Sequence, residues 1–183
     1  MKLTKKTLFE AIHGDELEII SSGWGELLTM IESNPFSERI SHLLTHQEIG
    51  QIKVRNNHGE LSAPNCLGTA FFVAGVGALQ YPYHAYSDEL DPHLVQPEKE
   101  KLIDLFRAHY ERRVPGAFIF SYSVQQDGWH AGIYIGSIGE EHVAFAQHGH
   151  GGKFCFETIA RNYVRPNYYI PSTLVKIQTP ALA

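Results

Sequence analysis

Past Pro115-Gly116 the chain alternates short apolar runs with turn residues almost to its end, and this constrains the fold more than any other feature. Runs rich in β-branched and aromatic residues cover 117–122, 129–135, 142–147, 153–159 and 168–177, the last broken by Pro171. Strand upon strand predicts an antiparallel sheet. The earlier part reads differently. Between 4 and 45, Leu8, Phe9 and Ile12, then Leu27, Leu28 and Ile31, recur at helical spacing, interrupted by Gly23, Gly25 and Asn34-Pro35. Two or three helices are expected there. A short strand is expected within 49–57, with Asn56-Asn57-His58-Gly59 as a turn. After the helix that opens at Cys66, residues 81–97, rich in Pro, His, Tyr and Asp and without a period, are expected to form a long surface loop beside the site. Pro97 then opens a helix, with Glu98 and Glu100 in its first turn and Arg112-Arg113 in its last. Helices first and an antiparallel sheet afterwards is an α+β plan.

The 183 residues suffice for one domain with a sizeable core, so 1–183 reads as a single domain: 1–60 an N-terminal helical cap, 61–183 the core. Hydrophobic residues at 43% and charged residues at 19% belong to a globular chain. The net charge of -5, with no basic block to follow a phosphate backbone, argues against a nucleic-acid partner. No apolar run approaches the ~18 residues of a membrane span. The opening ten residues lack a signal-peptide core, so the expectation is a cytoplasmic product, or one exported without such a signal. Oligomeric state is left open.

Cys66 is the first chemical signal. In Ala63-Pro64-Asn65-Cys66-Leu67-Gly68-Thr69-Ala70-Phe71-Phe72-Val73, a loop with a capping residue runs into an apolar stretch that reads as a buried helix. A thiol at a helix N-terminus meets unpaired N–H groups and the positive end of the helix dipole, which favour thiolate and suit a developing oxyanion. Trp129-His130-Ala131-Gly132-Ile133-Tyr134-Ile135 supplies a matching base on a strand, His130. By strand parity His130, Gly132 and Tyr134 share one face, while Trp129, Ala131, Ile133 and Ile135 share an apolar, core-facing one. Gly132 removes bulk beside His130, which would let the Cys66 helix approach the sheet closely. A third polar group is expected to orient the imidazole, with Gln147 and His148 both qualifying.

These elements resemble the NlpC-type papain-like cysteine peptidases. The similarity spans roughly 60–160 and rests on Asn65-Cys66-Leu67-Gly68, Pro115-Gly116-Ala117-Phe118, His130-Ala131-Gly132-Ile133-Tyr134 and Phe145-Ala146-Gln147-His148, in that order. Asn65, Leu67 and Ala117 depart from the family's usual Asp, Ser and Asp. The resemblance implies a papain-like fold, a Cys-bearing helix packed on an antiparallel sheet behind the N-terminal helical segment. It also implies hydrolysis of an amide bond in a peptidoglycan peptide, a muropeptide substrate, and no metal or organic cofactor. Cys66 would be the nucleophile, His130 the base, and the Cys66 backbone N–H part of an oxyanion hole.

Alternatives stay open. The same thiol and imidazole would serve an acyltransferase, thioesterase or deamidase acting on a protein, and the altered neighbours of Cys66 admit an inactive binding module of the same fold. Tyr83, Tyr134 and Trp129 are candidate substrate-binding residues, with Tyr81 and Tyr86 in the same loop as Tyr83. His142, His148 and His150 share strand parity and offer a weak metal reading. Cys155, in Phe154-Cys155-Phe156, reads as a small core residue.

Overall fold

The computed structural model describes residues 3–12, 14–56, 58–75, 79–86, 113–123, 127–171 and 174. The helix expected from Pro97 and most of the expected 81–97 loop lie outside the described residues. Four short helices lie within 4–45, where two or three were expected: α1 (Lys5–Glu10), α2 (Leu17–Ser21), α3 (Trp24–Ser33) and α4 (Ser37–Thr45). A 3-10 turn, Gly14–Glu16, leads into α2, so Gly23 and Asn34-Pro35 are joined by an additional break near Gly14. A second 3-10 turn, Gln47–Gln51, leads to the hairpin of β1 (Val54–Arg55) and β2 (Leu61–Ser62), closed by the Asn56 turn: the Asn56 side-chain oxygen accepts from the N–H groups of His58 and Glu60.

Then comes α5 (Cys66–Ala74), every residue of which is buried. A helix apolar on all sides belongs inside the core. Asn65 caps it, its side-chain oxygen accepting from the Gly68 N–H at 2.9 Å, and Gly75, left-handed at φ 72°, closes it.

The sheet is antiparallel throughout, built from β3 (Phe118–Ser123), β4 (Gly128–Ile138), β5 (Glu141–Gln147), β6 (Phe154–Thr158) and β7 (Val164–Tyr169), in the order β6-β5-β4-β3-β7. The last strand starts four residues before its expected 168–177 run, and a short helix, α6 (Ile159–Asn162), separates it from β6. α5 packs chiefly on β4, with Phe71 stacked on Phe118 at 5.5 Å between ring centroids. Phe118, Phe145, Phe154, Phe156 and Ile133 from the sheet meet Leu27, Ile31, Ile40 and Leu43 from α3 and α4 in one apolar cluster. Burial of each such side chain stabilises the fold by about 1.5–3 kcal/mol.

β6 is a sheet edge, yet the N-terminal segment covers it. Phe156 donates its N–H to the Ala11 carbonyl at 2.7 Å, Ile12 forms a parallel bridge to Phe156, and the Gln47 amide makes two 2.9 Å bonds with the backbone of Phe154. An edge strand left bare would invite pairing with another chain. Among the described residues no helix is long and apolar enough to cross a membrane.

Candidate active site

The cap of α5 fixes the thiol. Asn65 does more than hold the Gly68 N–H: its Oδ1 also accepts from the Ala85 N–H at 3.2 Å, and its Nδ2 donates to the Ala85 carbonyl at 2.7 Å. The 83–85 segment is thereby strapped across the first turn of the helix. Gly68 makes that possible, since a Cβ there would stand 1.8 Å from the Tyr83 carbonyl oxygen. Cys66 is left 8% exposed at the tip. Its Sγ lies 3.9 Å from the Trp129 carbonyl, beyond Gly132↔Ala146, the last β4·β5 pair. Among the described residues the backbone N–H groups of Cys66 and Leu67 have no acceptor, as first-turn donors do not unless capped.

His130 is fully buried. Its Nε2 is 2.6 Å from Glu157 Oε1, and the Cys66 side chain is near enough to act on the charge of the ring. Burial alone would lower its pKa; the negative charge of Glu157, the hydrogen bond to it and the nearby Cys66 side chain overcome this and raise it from 6.5 to about 10. Glu157 is fully buried and held by three donors: His130, Tyr163 Oη at 2.7 Å on Oε1, and His148 Nε2 at 2.9 Å on Oε2. Burial would raise its pKa, but the His130 charge and these bonds lower it from 4.5 to about 2. His130 and Glu157 are therefore a buried imidazolium–carboxylate pair around neutral pH.

The third position differs from both sequence candidates. Register explains the difference. Gly132 pairs with Ala146, so Gln147 falls on the opposite face from His130, and there it is bound up structurally: Oε1 accepts from Thr69 at 2.6 Å, while Nε2 donates to the carbonyls of Gly50 and Gly152 at 3.3 and 3.0 Å. Gln147 anchors α5 and the 148–152 turn instead of orienting the imidazole. His148 lies on the correct face but one step out, reaching Glu157 rather than bonding His130, with 5.9 Å between the two ring centroids. Glu157 takes the orienting place because the pairing of Ala144 with both Tyr134 and Glu157 puts it on the face of His130. The available sequence signal was a single carboxylate in an otherwise apolar strand run, which must find a partner when buried.

Other expectations are corrected. The space that Gly132 leaves is filled by Tyr163, not by the Cys66 helix: a Cβ would stand 2.4 Å from Tyr163 Oη. Trp129 is not in the core but 59% exposed, stacked on Phe120 at 5.0 Å and edge-on to Tyr122 at 6.2 Å, an aromatic shelf on the strand whose backbone meets the thiol. Tyr134 is buried and bonded to Ser137 and His142 at 3.1 and 2.9 Å, which removes it from the substrate-binding candidates. Tyr83 is buried too and borders the helix tip through its backbone, whereas Tyr81 is exposed and Tyr86 bonds the Glu60 carboxylate. His142, His148 and His150 do not converge: His142 bonds Tyr134, Ser137 and Arg113, His150 bonds Ser62, and His148 bonds Glu157. Cys155 is buried, its thiol pushed well up by burial and by the nearby Glu157 and Glu16 carboxylates.

Comparison of the chain with protein-family models, with curated proteins and with solved structures finds no match in any of the three.

Proposed function

We propose that the protein is a cysteine-dependent amide hydrolase in which Cys66, His130 and Glu157 act as nucleophile, acid–base and orienting carboxylate. The observation that carries the reading is a buried imidazole 2.6 Å from a buried carboxylate, with a thiol at a helix N-terminus near enough to raise the imidazole's pKa. A carboxylate on Nε2 fixes the tautomer and orientation of His130 and stabilises its protonated form. That form is the acid an amide leaving group requires. The Cys66 thiolate attacks the carbonyl carbon, a C–S bond forms, the C–N bond breaks, and His130 delivers its proton to the departing amine. Water then attacks the acyl-enzyme, His130 takes one of its protons, and the C–S bond breaks to restore the thiolate. The free N–H groups of the first turn, at Cys66 and Leu67, suit the oxyanion of both steps.

A peptidoglycan peptide is the proposed substrate, resting on the resemblance to the NlpC-type peptidases and their papain-like fold. The exposed Trp129 and Tyr122 rings, set edge-on to one another, offer apolar surface for a neighbouring part of the substrate on the strand whose Trp129 carbonyl meets the thiol. The test is incubation of purified protein with muropeptides under reducing conditions with EDTA, followed by mass spectrometry. Cleavage at an amide bond that disappears in Cys66→Ala and in His130→Ala is the expected result. Muropeptides left intact by a protein whose Cys66 alkylates rapidly would keep the thiol chemistry and remove the substrate. An inert Cys66 would overturn the hydrolase reading.

A further inference from the structure

We propose that His148, Cys155 and Glu157 form a zinc-binding site on the far side of the orienting carboxylate, separate from the nucleophile. One donor atom from each lies within 4.8 Å of the others. Tetrahedral zinc, with ligand bonds of about 2.0–2.3 Å, sets its donors roughly 3.3–3.7 Å apart, so a shift of about 1.5 Å at most closes the set. His148 Nε2 and Glu157 Oε2 are already 2.9 Å apart.

Backbone geometry produces this convergence. Cys155 and Glu157 alternate on one face of β6, opposite Ala146 and Ala144, whose small side chains leave that face open. His148 immediately follows β5, and its N–H bonds the Lys153 carbonyl at 3.0 Å, which turns the chain so that the imidazole returns over the same face.

The donor types select the ion. A thiol, an imidazole and a carboxylate together suit zinc, whereas magnesium and calcium take oxygen. Cys155 is thus more than a space-filling core residue, because its neighbours include two carboxylates and an imidazole. His148, 21% exposed at its side chain, is the point of entry to an otherwise buried set. Three protein ligands leave a fourth position for water. On binding, the Cys155 S–H gives its proton to solvent as the Zn–S bond forms. The proton that His148 Nε2 shares with Glu157 Oε2 leaves for solvent or passes to Nδ1 as the Zn–N bond forms, the neutral ring keeps its hydrogen on Nδ1, and Glu157 binds through Oε2 while Oε1 keeps His130 and Tyr163.

The experiment titrates zinc against a chromophoric chelator, and cobalt as a spectroscopic probe, into the parent protein and into Cys66→Ala, Cys155→Ala and His148→Ala. The expected result is one zinc per chain in the parent and in Cys66→Ala, with a thiolate-to-cobalt charge-transfer band. In Cys155→Ala the band vanishes. Affinity falls there and in His148→Ala by more than about 100-fold, a direct ligand costing more than the roughly 10- to 100-fold lost with an outer partner. His148→Ala, at a partly exposed position, keeps the test valid should Cys155→Ala fold poorly. The proposal is overturned if the parent binds no stoichiometric zinc, if both ligand variants bind as the parent does, or if zinc is lost in Cys66→Ala and kept in Cys155→Ala. The last outcome would put the ion on the Cys66–His130 pair. All of these readouts are independent of any hydrolytic activity.

Discussion

Replacing Glu157 by Gln tests the proposed site most directly, because it removes one charge and few atoms. The amide oxygen can keep the bonds from His130 and Tyr163, while the amide nitrogen turns to His148, whose neutral ring can present a lone pair on Nε2. Packing is retained and the electrostatics change. The rise of His130 from its ordinary 6.5 to about 10 corresponds to about 5 kcal/mol. Burial opposes that rise, and both Glu157 and Cys66 sustain it. Assigning about half to the carboxylate gives 2–3 kcal/mol, or roughly 30- to 150-fold in a rate that depends on the imidazolium. The assay is the pH dependence of Cys66 alkylation by iodoacetamide, with EDTA present and Cys155→Ser as background. The loss should be greatest between about pH 8 and 10, where His130 is protonated in the parent and, with about half of its rise removed, neutral in the variant. Tyr163→Phe, which removes one neutral donor from Glu157, should cost less than about tenfold. A folded Glu157→Gln protein that alkylates at the parental rate across this range would refute the electrostatic role given to Glu157.

Glu16 titrates with the opposite sign to Glu157. Burial pushes it up from 4.5 to about 7, against the Thr158 backbone and Asn162 side-chain hydrogen bonds that lower it. The native state therefore binds a proton that the unfolded chain releases between pH 4.5 and 7, and stability falls as pH rises through that window. The shift is worth about 3 kcal/mol at most, or about 1–2 after allowance for screening, so Glu16→Gln should raise urea stability by that amount near pH 8 and leave pH 4 unchanged. Gly68→Ala would drive a Cβ into the Tyr83 carbonyl; a loss of about 1–3 kcal/mol is expected, with faster proteolysis of the 83–85 segment as the local readout. Thr69→Val leaves the buried Gln147 oxygen without its donor and should cost about 1–3 kcal/mol in thermal unfolding, while alkylation of Cys66 stays within a factor of two or so.

Local patterns were legible where the chain's own periodicity set the structure. The strand bounds over 117–159 were legible within one residue, except that β4 runs three residues past its expected end, to Ile138, and Asn65 before an apolar run announced both α5 and the placement of Cys66 at its tip. Helix count in the first 45 residues was less legible, since apolar spacing carries across the 3-10 turn at Gly14–Glu16 without marking the break. Site residues divided by the range of the contact that defines them. Cys66 and His130 follow from position within their own elements. Gln147, His148 and Glu157 depend on the β4·β5·β6 register, and a one-residue difference in pairing exchanges faces. The exposure of Trp129 had the same origin: parity placed it with Ala131 and Ile133, but the core ends before the strand does.

The N-terminal segment bears on the chemistry through β6. Ala11 holds the Phe156 N–H, Gln47 holds both backbone groups of Phe154, and Glu16 holds the Thr158 N–H and, at 2.5 Å, the Asn162 side chain. These anchors bracket Cys155 and Glu157 on either side. A carboxylate that must meet an imidazole within hydrogen-bond tolerance cannot sit on a frayed edge strand, because small displacements of a positioning group cost large factors in rate. Residues 1–60, expected from sequence to be a cap, thus contribute the scaffold that fixes the orienting member of the proposed triad. Their contacts run to the edge of the sheet and the backbone of α5, where Arg39 donates to the Phe72 carbonyl and covers its ring, and the helical segment and the sheet form one continuous core.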